Sequence, residues 1–148
     1  MAAAVRATLL IVDLRAVAPR VRSSTERALL WLEGLLAVAA FGGGISFIVG
    51  AADLGEATAD LPFGSIVFAG WALVLINGVL PTVVLIGALR WRRWATRWGH
   101  LVVGSALLGW VVVQVAVLGP PLHWLQAVYA AYGAGILMLA TRLTRTAP

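Results

Sequence analysis

The sequence predicts an all-α fold, a four-helix transmembrane bundle with both termini on the cytoplasmic side. Three observations predict it: an apolar excess that no small globule can bury, four apolar runs of spanning length, and arginines confined to alternate loops. The chain has 148 residues, room for one domain, of which 61% are hydrophobic and only 11% charged. Its mean hydropathy is +0.96. Soluble domains are nearer half apolar and a quarter charged, and a chain this short has too few polar residues to coat the globule it would form. Lipid is the solvent that takes up the remainder.

The first element is a tail, residues 1–22. Arg6 and the small-x-small triplet Ala16-Val17-Ala18 have the outline of a cleaved signal peptide. The apolar run Leu9–Val12 is too short, however, Asp13 and Arg15 interrupt it, and Pro19 sits where cleavage is disfavoured. A cytoplasmic tail or a surface helix is expected instead. The membrane domain, residues 23–148, opens on Ser23-x-x-Glu26, which has capping-box form and starts a helix near Ser24. The spans then cover about residues 28–50, 65–89, 100–118 and 122–141, each long enough at about 1.5 Å per residue to cross most or all of a hydrocarbon core of about 30 Å. Only Gly119-Pro120-Pro121 separates the last two, so they form a tight antiparallel hairpin.

Charge sets the orientation. All eleven cationic residues are Arg. Arg6, Arg15, Arg20, Arg22 and Arg27 precede span one, Arg90, Arg92, Arg93 and Arg97 lie between spans two and three, and Arg142 and Arg145 follow span four. The other two loops contain none, so every cation falls on the side that the positive-inside rule names cytoplasmic. Trp31, Trp91, Trp94 and Trp98 fall at that boundary and Trp71 and Trp124 near the outer one, as an aromatic belt requires. Arginine without lysine, beside abundant Ala, Gly and Val, reads as the coding bias of a GC-rich bacterium and places the expected home in a bacterial inner membrane. A pI near 11.4 would point a soluble protein toward nucleic acid. Here anionic headgroups account for the arginines, and no nucleic-acid partner is expected. The absence of Cys removes disulfides, thiolate metal sites and thiol redox relays.

Four groups of residues could carry function. In the loop Arg90-Trp-Arg-Arg-Trp-Ala-Thr-Arg-Trp-Gly-His100, a helix would align Arg90, Arg93 and Arg97 on one face and Trp91, Trp94 and Trp98 on the next, with Arg92 beside them. Such a surface serves either as a lipid-headgroup or partner platform or as a topology anchor of snorkelling Arg and interfacial Trp. Asp53, Glu56 and Asp60 in the outer loop would share a face of a short surface helix ended by Pro62, either as a cation site or as a solvated face. Within the membrane, Asn77 lies 13 residues from Arg90, Gln114 lies 14 from His100, and Tyr129 lies 13 from Arg142, which puts all three about 20 Å from the cytoplasmic boundary. The matching level of span one is the stretch Phe41 to Gly44. This layer either hydrogen-bonds between helices, at about 0.6–2 kcal/mol per bond, or lines a small polar cavity. Pro81 conflicts with the carbonyl of Asn77, so span two should bend there. Gly42, Ser46 and Gly50 form a small-residue stripe for packing in the bundle or at a dimer interface. Finally, Glu33 is the one acid inside a predicted span, about 8 Å from the cytoplasmic edge, where it either reaches interfacial water, Arg27 or another loop arginine, or binds a proton or cation.

Familiar enzyme signatures are missing: there is no His-Glu-x-x-His, no Gly-x-Ser-x-Gly and no Cys pair. His100 and His123 fall on opposite sides of the membrane and cannot share a haem or metal within one chain. No catalytic residue, metal or cofactor is therefore expected.

The run Leu108-Gly-Trp-Val-Val-Val-Gln114, followed by Gly119 and by Leu125-Gln-x-x-Tyr129, together with Pro62-Phe63 and the Arg-Trp loop, resembles a group of small four-span bacterial membrane proteins without an established role. The resemblance covers about residues 28–142, and Trp110, Gln114, Gln126 and Tyr129 carry it. Small multidrug transporters also have four spans and an acid in the first, which Glu33 imitates, but they are shorter and lack the basic tail. DoxX-like proteins are similar in size and span count alone. The functional expectation is a non-enzymatic accessory or interaction subunit of a membrane complex, meeting anionic headgroups and a membrane-protein partner or a second copy of itself. The alternative is a small oligomeric transporter built around Glu33 or the Asn77, Gln114 and Tyr129 layer.

Overall fold

Four long helices carry the chain in the computed structural model, which describes residues 22–53, 55–119 and 124–146. Helix α1 is Ser24–Ile48, α2 runs Ile66–Leu89 and α3 Ala95–Leu118, and α4 is Trp124–Thr146. All four are long and apolar enough to cross a membrane. Among the described residues there is no strand. Most of the tail, the Pro120-Pro121 turn and His123 lie outside the described residues.

The helix starts follow local chemistry. Ser23 is extended, with φ −64° and ψ 159°, and its Oγ accepts the Glu26 amide, the bond that the Ser-x-x-Glu pattern predicts. Ser65 does the same for the Phe68 amide at the start of α2. The helices outrun some of the apolar spans, because the backbone ladder continues into the interface where hydropathy has already fallen. Helix α3 begins within the Arg-Trp loop and α4 runs on past Arg142. In the loop between α1 and α2, Gly55–Asp60 forms a 3-10 turn, and Asp53 Oδ1 accepts the Gly55 amide, so that carboxylate serves its own backbone. The Glu56 side chain lies outside the described residues.

Helix α2 contains a π turn at Val74–Val79, immediately before Pro81. There the Leu80 amide bonds five residues back, to Leu75 O. Proline brings no N–H to the point where the ladder returns to α-helical register, so the change of register wastes no donor. Where Pro81 led to the expectation of a bend, the backbone carries a π turn.

The bundle is a ring in which each helix packs on its chain neighbours and α4 closes back on α1. Helices α1 and α3 stand diagonally and share no extended packing face. Leu29 and Leu36 of α1, Val84 of α2, Val103 and Leu107 of α3, and Ile136 and Ala140 of α4 fill the centre. Glycines set the closest approaches. A Cβ on Gly44 would lie 2.8 Å from Gly70 O, and one on Gly104 would lie 2.8 Å from Leu137 Cγ. The expected stripe of Gly42, Ser46 and Gly50 is not where α1 approaches a neighbour most closely. A Cβ on Gly42 would meet nothing within 4 Å, Ser46 Oγ donates to Gly42 O of its own helix, and Gly50 lies beyond the helix end at φ +73°. Gly44, two residues along, does the packing instead. No span buries more than 39% of its apolar stretch inside the bundle, so most of that surface needs lipid.

These contacts predict opposite outcomes for neighbouring glycines. Gly44→Ala should lower the thermal midpoint in detergent, at a cost of about 1–3 kcal/mol for overpacking. Gly42→Ala should leave it unchanged or raise it, since Ala is the better helix former by about 1 kcal/mol.

A buried Glu–His pair as the candidate functional site

The inward face of α1 is the stripe Glu26, Leu29, Glu33, Leu36, Ala37, Ala40 and Gly44. Its spacing of three and four residues puts Glu33 in line with the core leucines. The corresponding stripe of α3 begins with His100 and continues through Val103, Gly104, Leu107 and Val111. A second π turn, Ala95–Gly99, directly precedes His100. Its extra residue lets Ala95, Gly99 and His100 all turn inward while Arg97 and Trp98 stay exposed. Gly99 lies against α2 so closely that a Cβ would stand 2.7 Å from Val84 Cγ1. This contact draws the start of α3 into the bundle.

The two stripes meet across the diagonal. His100 Nδ1 and Glu33 Oε1 are 2.7 Å apart, within the range of a charge-assisted hydrogen bond, and the side chains are 2% and 0% exposed. Leu29 and Leu36 bracket the pair along α1, and Tyr132 of α4 donates its hydroxyl to Leu32 O at 2.7 Å beside it. The outer atoms of the pair, Glu33 Oε2 and His100 Nε2, are buried without a hydrogen-bond partner among the described residues.

This geometry corrects the sequence expectation for Glu33. Nine residues beyond Ser24, the side chain lies about 13 Å along α1, fully enclosed, and its partner is His100. Arg27 points outward. Hydropathy placed His100 at a span boundary, whereas the π turn makes it a core residue. Its spacing to Val103 and Leu107 was the available signal, since three and seven residues are one and two helical turns.

Asn77 is 2% exposed within the π turn of α2, and its Nδ2 has no partner among the described residues. Next to it, Gly78 sits against the Phe41 ring, the level of span one expected there. Gln114 and Tyr129 are half-buried, and Tyr129 packs on the central cluster. None of the described hydrogen bonds joins Asn77, Gln114 and Tyr129 to one another. Gln126 of α4 is a further buried polar residue.

At the Arg-rich end of the bundle, Arg90, Trp91, Arg92, Arg93, Trp94, Arg97 and Trp98 are all exposed. They do not lie on one helix as the spacing suggested: Arg90 and Trp91 form a turn with Trp91 at φ +56°, which ends α2 and splits the Arg and Trp faces. Arg22 holds this turn. Its Nη2 donates to Leu89 O at 3.0 Å and Ala88 O at 3.4 Å, and its guanidinium lies 4.6 Å over the Trp91 ring. Trp94 is wedged against Gly87, and Arg97 lies 5.4 Å over Trp98.

The described residues contain no group of three or more His, Asp or Glu able to hold a metal ion. The chain matches no protein-family model, no curated protein and no solved structure. The site's chemistry therefore rests on its own residues, a carboxylate and an imidazole sharing a hydrogen bond in an apolar centre.

Removing one partner strands the other, so Glu33→Ala and His100→Ala should each cost about 3–5 kcal/mol. The double substitution Glu33→Leu with His100→Leu should recover much of that loss, because it removes both polar groups together. Denaturation of the four proteins in detergent micelles reads the coupling.

Proposed function

We propose that this chain is a non-enzymatic integral protein of a bacterial inner membrane, an accessory or interaction subunit of a larger membrane complex with both termini in the cytoplasm. The observation that carries the reading is the shaped Arg/Trp rim. Arg22 and Gly87 fasten the turn after α2, while Arg90, Arg92, Arg93, Arg97 and Trp98 stay exposed around it. Snorkelling anchors need no fixed backbone, and a docking surface gains from one because less ordering is left to the moment of binding. The small extramembrane mass agrees with a part that works in company, with anionic headgroups meeting the arginines the partner leaves free.

A second reading is a small oligomeric transporter, favoured by an acid at the bundle centre and a buried Asn77 in an irregular helix. It requires that Glu33→Gln or Asn77→Leu abolish solute uptake into proteoliposomes. Uptake that survives both changes removes this assignment.

The lead reading predicts that mild detergent extracts the protein with a second membrane protein in fixed ratio. The triple change Arg92→Ala, Arg93→Ala, Trp98→Ala should release that partner without unfolding the bundle. A solitary monomer, under conditions that keep other membrane complexes intact, would refute it. The orientation is tested in the naturally Cys-free chain. A cysteine at Ala59 should react with an impermeant maleimide from outside the cell, and one at Thr96 or Thr144 only after the membrane is opened.

A further inference from the structure

We propose that Glu33 and His100 form a proton-binding site inside the bundle, exchanging its proton with the cytoplasmic side through His100 Nε2. The starting point is the electrostatics of the centre. An unpaired ion there costs several kcal/mol, so the resting pair is neutral overall and holds one titratable proton. Written as carboxylate and imidazolium, the ring donates Nδ1–H to Glu33 Oε1 and carries a second N–H at Nε2. Written as carboxylic acid and neutral imidazole, Oε1–H donates to Nδ1 and the ring's hydrogen again sits at Nε2. Both forms therefore place an N–H on the buried atom that has no acceptor among the described residues. Loss of that proton to water leaves a carboxylate still bonded by Nδ1–H, and a lone pair on Nε2. One N–H bond breaks, one O–H bond forms on water, and the pair moves from net charge zero to −1.

The surroundings isolate the pair as a titrating unit. On α1 the neighbouring charges are Glu26, two turns toward the cytoplasmic end, and Arg27, which faces out. Helix α2 has no ionisable side chain between Ile66 and Leu89, and Arg90 lies beyond its end. On α3 the nearest is Arg97, exposed one turn before His100. Helix α4 presents Tyr132, whose hydroxyl is committed to Leu32 O, and Tyr129, packed on the apolar cluster. Access is asymmetric. Toward the outer side the core continues through Leu36, Ala37, Ala40, Val103 and Leu107, all buried and apolar. Toward the cytoplasm only Leu29 separates Glu33 from Glu26 along the same stripe, and Glu26 is 9% exposed. The α1–α3 diagonal has no other extended contact, so a change in the pair's charge alters the link between those helices.

The proposal shares Glu33 with the transporter reading but needs no solute movement, so a failed uptake assay leaves it standing and a failed proton assay leaves that reading standing. It is tested on the full chain in sealed liposomes by infrared difference spectroscopy after a pH jump. Carboxyl and imidazole bands should change together, both be lost in Glu33→Gln, and the carboxyl band be displaced in His100→Gln. A spectrum unaltered by Glu33→Gln, or a Glu33 band indifferent to His100→Gln, overturns the pair. Should either variant fail to fold, nitrogen-15 histidine resonances of the wild-type chain decide, with His123→Gln assigning the two rings. A His100 Nε2 that loses its proton as the pH is raised while the bundle stays folded supports the site, and one that keeps the same protonation throughout overturns it. Raising the pH only of the solution on the Arg-rich side should produce the change. A response to the opposite side alone overturns cytoplasmic access.

Discussion

The hydrogen bond between Glu33 and His100 is the constraint around which the bundle is arranged. Chain neighbours in a four-helix ring pack by default, because short loops and shared apolar faces bring them together. The diagonal has no such guarantee. Here α1 and α3 lack an extended common face, and a 2.7 Å hydrogen bond joins them within the central cluster. In lipid the apolar residues gain little by choosing one neighbour over another, whereas a buried acid has one satisfactory partner. The pair thereby selects the arrangement of the helices as well as adding to its stability.

The rest of the packing serves that contact. Gly44 and Gly70 let α1 and α2 approach backbone to backbone, and Gly99 lets α3 press on Val84. The π turn at Ala95–Gly99 resolves a conflict within the sequence of α3: the loop must show its arginines to water while the next residue faces the core. An uninterrupted α-helix spaces its faces evenly, and the extra residue shifts one against the other. The π turn at Val74–Val79 similarly buries Asn77 and Gly78 side by side before Pro81 restores the regular ladder.

Much of the fold was legible because it depends on sums. Apolar length fixes the number of helices, and Ser23 with Glu26 fixes where the first begins. The site was only half legible. Glu33 stands out as an acid among leucines, but its partner is 67 residues away and borders an arginine-rich loop that hydropathy assigns to the interface. Helix register decides whether His100 faces in or out, and a π turn is a register change with no sequence signature of its own. The same limit applies to the rim, where a turn at Trp91 interrupts the helix that the Arg and Trp spacing describes. Depth counting brought Asn77 to the level of Phe41, yet depth alone says nothing of rotation about the helix axis, so it could not tell whether Asn77, Gln114 and Tyr129 meet.

The separation of Glu33 from His100 also bears on how the protein is made. The 67 residues between them take a ribosome about 3–13 s at 5–20 residues per second. During that interval α1 must reside in the bilayer, or wait beside the insertion machinery, with its acid unmatched, at a cost below the ~2.5–3.5 kcal/mol of a charge at the helix centre, since Glu33 lies nearer one end of α1. The Arg22 contact can form slightly sooner, since the carbonyls of Ala88 and Leu89 that it meets are made twelve and eleven residues before His100. The first hairpin can therefore close at its Arg22 end while Glu33 still lacks its partner, leaving the acid as the feature that the arriving third helix completes.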